Sequence, residues 1–284
     1  MKNGYLTKVS PFLLLCFLIA ISGCCINTGC WPRAKYERQV QLSAPLQPSP
    51  TFAAETHNGS ITIEGADVTD CNLTATITAR ALTEEDAKKL AEEVKIKLEP
   101  SGDKLTVIIE KPDNMMNRSV SVSLDAILPN QTDLELTTHN GAIKITNITG
   151  DINGTTHNGK VSVEKICGTT KLKTHNGSIV CEEISGETQL RTHNGSVKLY
   201  YQEAAPAVCN ISVVTHNGGI DFTAPLNLSA EVDVSTHNGS IKTDLPITVT
   251  GSDTKNKLTG TIGTGEGKLH LETHNGSIKI RQLK

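Results

Sequence analysis

Eight of the nine histidines in this chain share one context, Thr-His-Asn-Gly, at His57, His139, His157, His175, His193, His216, His237 and His274; only His270 stands outside it. Repeated imidazoles can do two kinds of chemistry. They ligate a transition metal when two to four ring nitrogens converge at about 2.0–2.1 Å from one ion, and they take protons when a hydroxyl lies within hydrogen-bond reach. A Thr precedes each of these histidines, but neighbouring residues on a strand point to opposite faces, which excludes a Thr-His dyad. No Cys or carboxylate accompanies the motif at constant spacing, and a straight column of imidazoles does not converge, so the reading assigns no metal and no cofactor. The paired acids of a polysaccharide-cleaving groove do not recur at one phase of the repeat, since Glu164, Glu182 and Glu183 are scattered. Neither a nucleophile elbow, a phosphate loop nor an HExxH occurs. The expectation is a protein without catalysis.

The elements that carry the histidines are repeats. From Thr138 the motif begins again at Thr156, Thr174, Thr192, Thr215, Thr236 and Thr273, at intervals of 18, 18, 18, 23, 21 and 37 residues. Counting Thr as zero, position five holds Ile143, Val161, Ile179 and Val197, and position seven holds Ile145, Val163, Cys181 and Leu199. Position ten holds Ile148, Ile166 and Ile184, and position twelve holds Gly150, Gly168 and Gly186. Alternation by two, broken at a corner and resumed, suits short strands bent around a core and not helices of 3.6-residue period. Eighteen residues give a contour of roughly 60 Å, about one coil of a solenoid. The fold class is therefore all-β: a single-stranded parallel β-helix (β-solenoid), expected to be right-handed, with one N-terminal α-helix and flanking strands. Longer intervals are loops at one corner, such as "YYQEAAP"; the 37-residue interval holds either a coil lacking the motif or the insertion "TGSDTKNKLTG".

Within such a coil Thr faces inward with Leu172 and Leu190, so His faces outward. The Asn is expected to turn inward at the corner. Asn140, Asn158, Asn176 and Asn194, continued by Asn217, Asn238 and Asn275, then form an amide ladder between coils. The turn glycines Gly141, Gly159, Gly177, Gly195, Gly218, Gly239 and Gly276 would supply a positive φ. Upstream, "LTEEDAKKLAEEVKIKLE" gives the chain's one good helix pattern, with Thr83 as N-cap, acids in the first turn, and Ala87, Leu90, Ala91 and Val94 as the apolar stripe.

The N-terminus addresses the chain. Lys2 and Lys8 precede the apolar run Pro11–Ile21, then Ser22, Gly23 and Cys24. That is the layout of a secretory signal, too short for a comfortable membrane span, and "ISGC" resembles the lipobox in which the Cys carries lipid. The expected organisation is a signal at 1–23, a lipid-anchored tether at 24–38, N-terminal strands and a capping helix at 39–137, and the repeat solenoid at 138–284. The implied partner is a membrane, through lipid on Cys24, together with an envelope protein or glycan. A net charge of −3 and 3% aromatic residues leave neither a basic footprint nor stacking platforms for nucleic acid. Cys71, Cys167, Cys181 and Cys209 remain for the folded part, without CxxC spacing.

The repeat resembles the bacterial putative-adhesin family, a domain of unknown function with a β-helix fold and a T-x-N-G-x-I-x-V element. "TEEDAKKLAEEVKIKLEPSGDKLTVIIE", "LDAILPNQTDLELTTHNGAIKI" and "LTGTIGTGEGKLHLETHNGSIKI" are similar to its helix-strand, entry and closing segments. The resemblance runs from about Tyr36 to the C-terminus and implies a structural or adhesive protein of the cell envelope, on the periplasmic or surface side. An envelope sensor or scaffold that binds a partner protein, a cell-wall glycan or a metal through the solenoid face is the alternative, and a polysaccharide-acting enzyme a distant one. The constant His departs from the family, where that position varies.

Overall fold

The computed structural model describes residues 34–113, 117–225 and 227–283. The signal segment, Cys24, Cys25 and Cys30 lie outside the described residues. Among the described residues the strands form two sheets, of 11 and 12 strands, with a single helix beside them. Each repeat contributes one strand to each sheet. In the coil of His175, strand Thr170–Asn176 lies in the larger sheet, the chain bends at Gly177, and strand Ile179–Ser185 lies in the smaller one. Coils pair in parallel, with Thr on Thr and, where the pairing extends that far, Asn on Asn. The chain is a β-solenoid, as the repeat requires.

Positions five, seven and ten all point inward, which strict alternation forbids. The structure resolves this with a left-handed residue at position nine: Asn147, Lys165 and Glu183 have φ of 59°, 56° and 54°. The extra residue lets Ile145 and Ile148, Val163 and Ile166, or Cys181 and Ile184 face the same core, where all six are buried. Few side chains accept that backbone conformation without strain. One continuous apolar core results, running between the sheets from Val40 to Ile280.

Several boundaries differ from the sequence reading. The first motif, 82 residues before the second, is not part of a flanking region. Strand Thr51–Asn58 pairs with Asp133–Asn140 in the common register, placing Thr56 on Thr138 and Asn58 on Asn140. The coil of His57 thus belongs to the stack ahead of 138, and within residues 67–132 the strands Lys104–Glu110 and Ser119–Pro129 lay one further coil, without the motif, in parallel on its outer side before the chain returns at Asp133. Sequence spacing hid this because only strand pairing shows that an 82-residue gap closes on itself. The strand Ala34–Pro45 likewise includes residues assigned to the tether; its alternating burial comes from pairing with Asp70–Ala81. Pro45 is tolerated because it ends an edge strand.

The 37-residue interval is an insertion. Strands Thr248–Thr254 and Lys257–Ile262 form a hairpin that covers the edge strand Ala230–Asn238. The last coil, Gly267–Asn275 with Ile278–Gln282, then slots between the coils of His216 and His237. The spatial order of coils is therefore His57, His139, His157, His175, His193, His216, His274, His237. At the other end, helix Glu84–Glu93 buries Ala87, Leu90 and Ala91 against strands Ala34–Pro45 and Asp70–Ala81. The Thr83 hydroxyl accepts from Asp86 N at 3.1 Å, and Arg38 Nη1 donates to the terminal carbonyls of Ala91 (3.0 Å) and Val94 (3.3 Å). Both ends of the helix are thereby supplied with partners that its own backbone lacks.

Substitutions at two neighbouring backbone sites should have opposite signs. A Cβ on Gly177 would sit 1.9 Å from the Gly159 carbonyl oxygen, so Gly177→Ala should lower the unfolding free energy in urea by about 2–4 kcal/mol. Glu183→Gly removes a side chain from a left-handed position and should raise or leave unchanged that free energy, by up to about 1 kcal/mol. Equal effects would refute this account of the corners.

Candidate functional site

The Thr-His-Asn-Gly corner is assembled residue by residue from contacts between coils. Each Thr is at most 4% exposed, and from Thr138 onward each hydroxyl donates to the carbonyl of the adjacent coil's motif glycine: Thr156 to Gly141 at 2.9 Å, Thr174 to Gly159 at 3.0 Å, Thr192 to Gly177 at 2.9 Å. The same pattern runs through Thr138, Thr215, Thr236 and Thr273. The glycine N–H in turn donates to the next Asn carbonyl, as from Gly177 to Asn194 at 3.0 Å and from Gly195 to Asn217 at 2.9 Å.

The motif glycines are needed for room and not for a positive φ. Only Gly59 and Gly218 among them have one, at 148° and 158°. At Gly141, Gly159, Gly195, Gly239 and Gly276 an added Cβ would fall 1.8 to 2.2 Å from the neighbouring glycine's carbonyl oxygen. That is the oxygen the Thr hydroxyl seeks, so the coils meet backbone to backbone.

The asparagines hydrogen-bond in one unbroken direction. Nδ2 donates to the previous Oδ1 from Asn140 to Asn58, Asn158 to Asn140, Asn176 to Asn158, Asn194 to Asn176, Asn217 to Asn194, Asn275 to Asn217 and Asn238 to Asn275, at 2.7 to 2.8 Å. Their side chains do not turn inward: all but the half-buried Asn58 are exposed. Alternation ends at Thr because the chain is already bending at Asn, so His and Asn both face solvent.

The histidines make a second column beside the amides. Successive ring centroids lie 4.6 to 4.9 Å apart with interplanar angles of 1° to 20°, in the spatial order of the coils. The spacing is that of the strands, so the rings are carried in register by the backbone. Near-parallel rings aim their nitrogens side by side, not at a shared point, and among the described residues no group of three or more metal-ligating side chains is gathered. Desolvation first, then the neighbouring His139 and His175, hold the His157 imidazole below its ordinary pKa.

Two residues upstream of each His, on the same face, lies a row whose charge changes along the stack: Glu55, Thr137, Thr155, Lys173, Arg191, Val214, Glu272 and Ser235. Where this row is short, at Thr137 and Thr155, a shallow groove forms, walled by His57, His139, His157 and His175 and closed at one end by Lys173. Sequence reasoning missed the row. Its signal was that the residue before Thr is Lys173 in one repeat and Arg191 in the next.

Cys71, Cys181 and Cys209 are buried free thiols and Cys167 is an exposed one; burial pushes Cys71 up to about 12 and also raises Cys181. Raised thiols are poor nucleophiles. The lone histidine outside the motif, His270, sits on the surface between the carboxylates of Asp233 (3.3 Å) and Glu272 (3.5 Å).

Residues 51–281 match the family Toastrack DUF4097. No curated protein matches the chain. Among solved structures, the chain is similar to a "putative adhesin" from Bacteroides fragilis, at 13% identity and a TM-score of 0.40, over 86% of this chain and 97% of that one. It is similar to a "putative cell adhesion protein" from Clostridium sporogenes at 12% identity and a TM-score of 0.34, over 86% and 99%. It is also similar to a "putative lipid binding protein" from Parabacteroides distasonis at 12% identity and a TM-score of 0.31, over 88% and 97%.

Stability should depend on pH through His157, which its column neighbours help hold low. His157 is held below its ordinary pKa when folded, so the unfolded chain takes up its proton first and the folded state loses stability as pH falls through the unfolded value of about 6.5. The melting temperature should fall between about pH 7 and pH 5, and fall less in a variant with His139, His157, His175 and His193 replaced by Ser. Equal falls would remove the column as the cause. Independently, Asn176→Ala breaks two ladder bonds and should cost about 1–2 kcal/mol in urea unfolding, against less for Asn238→Ala, which breaks one.

Proposed function

The chain belongs to the Toastrack DUF4097 family, and from that premise we propose that it is a non-catalytic, adhesin-type solenoid of the bacterial cell envelope, held at a membrane by lipid on Cys24. The observation that carries this reading is the outer face of the larger sheet. Eight coils present the same exposed positions in register over the whole stack, a broad and rigid polar surface suited to contacting a partner at many points. Stacked coils fix that surface without ligand-induced ordering, so binding to it costs little conformational entropy. The partner is an envelope protein or a cell-wall glycan.

Residues 1–23 act as the export signal, and a tether runs from Cys24 to the first strand at Ala34. One acyl chain gives only marginal binding, and the two or more of a bacterial lipoprotein anchor stably. Placed this way, the solenoid stands on a short leash at the membrane with its outer faces free.

Metabolic labelling with an alkyne-tagged palmitate tests the anchor. The wild-type chain should take up the label and sediment with membranes, and Cys24→Ala should lose both properties. A Cys24→Ala chain that is still labelled would overturn the anchor. Digestion of intact cells with an added protease then separates the roles: cleavage supports adhesion at the surface, and full protection supports the periplasmic scaffold.

A further inference from the structure

The three central coils differ from the rest in charge. Beside His157, His175 and His193 lie Lys173 and Arg191 in the row upstream and Lys160 just past the bend, all exposed. The other members of these rows in the three coils are uncharged: Thr155 upstream, and Ser178 and Ser196 past the bend. Acids appear only beyond them, with Glu55 and Glu272 toward the ends of the upstream row and Asp151 and Glu187 at the far margin of the same strands. Lys171 lies between that margin and Lys173. The result is a narrow basic strip about 10 Å long, two strand spacings, with acids at the strand margin and toward both ends of the upstream row, and with the exposed Lys144 and Lys198 flanking Ser162 and Val180 in the next row beyond the bend.

We propose that this strip docks a linear acidic polysaccharide, a polyuronate, whose carboxylates lie along the histidine column against Lys173 and Arg191 and which binds more tightly as the histidines gain protons. The inference rests on the reading of the chain as a binding solenoid of the envelope and names the class of its ligand. The acidic border selects against a flat anionic surface such as a membrane, which would meet Asp151, Glu187, Glu55 and Glu272 together with the strip. A single extended chain touches the strip alone. Nucleic acid is disfavoured because the imidazole faces are already taken by one another, ring on ring at 4.8 to 4.9 Å, and no Phe, Tyr or Trp stands beside them to stack on a base. The exposed ring edges offer N–H donors at the coil spacing, and in the imidazolium form both ring nitrogens donate. By linkage, a bound polyanion makes each imidazole easier to protonate, as protonation tightens the polyanion.

Titration calorimetry of the full chain with polygalacturonate tests this, at about pH 7.5 and about pH 5.5, where the polymer's carboxylates remain ionised. Binding should tighten about tenfold at the lower pH and weaken with added salt. The triple variant H157S/H175S/H193S should bind equally at both pH values, and K173Q/R191Q should lose binding at both. Neutral dextran should not bind, and poly(dT) should bind less well. A triple variant that keeps the pH dependence would overturn the proposal, as would dextran or poly(dT) binding as tightly as polygalacturonate. If a variant melts abnormally at pH 7.5, the wild-type chain decides: polygalacturonate should raise its melting temperature more at pH 5.5 than at pH 7.5, and an equal rise sinks the idea. Palmitate labelling that depends on Cys24, together with no polyuronate binding, would remove this inference and leave the envelope reading standing.

Discussion

The whole stack turns on one contact, the approach of each motif glycine from Gly141 onward to the carbonyl oxygen of the glycine in the adjacent coil. With added Cβ positions only about 2 Å from that oxygen, no other residue fits. The same oxygen accepts the buried Thr hydroxyl, so one carbonyl dictates two of the four letters in the motif. Its geometry brings neighbouring asparagines within 2.7 to 2.8 Å, amide to amide, which dictates a third. Everything at this corner follows from backbones meeting at van der Waals distance, and the parallel register of both sheets is carried outward from there.

The histidine is the letter this contact leaves free. It faces solvent, has no hydrogen-bond partner in the ladder, and takes its 4.8 Å spacing from strands that would stack equally well with another polar residue there. A structurally unforced residue kept at eight corners forms a line of titratable groups whose mutual repulsion disfavours charging them all. The basic side chains of the central coils stand beside this line and would share a counter-ion with it when the face is occupied. Stability and ligand binding are thereby set against each other in the same strip.

Much of the fold was legible because a solenoid writes its geometry once per coil. Ile143, Val161, Ile179 and Val197 at a single phase, and Ile148, Ile166 and Ile184 at another, gave both the strands and the corner between them. Two things were not legible, for a physical reason in each case. The Asn side chains lie outside because alternation stops where the chain begins to bend, and periodicity carries no information on where a bend starts. Stack order was hidden because pairing is three-dimensional: neither the detour of residues 67–132 after Ala66 nor the placement of Gly267–Asn275 beside Asn210–Asn217 leaves a mark on local sequence. The basic strip was visible in principle, at Lys173 and Arg191, but the eye follows what repeats and these residues break the repeat.

That displaced final coil also has a temporal meaning. The coil of His237 is made before the coil of His274, yet its place in the stack lies beyond it. While the chain emerges from a ribosome or a translocation channel, strand Ala230–Asn238 has no finished sheet to join and only its own hairpin to cover it. The larger sheet is complete only once Gly267–Asn275 stands between Asn210–Asn217 and Ala230–Asn238. The molecule is thus completed from within by its last segment, which makes the C-terminus a quality check: a chain cut short by its final twenty residues or so would lack an interior course of the wall and not merely its edge.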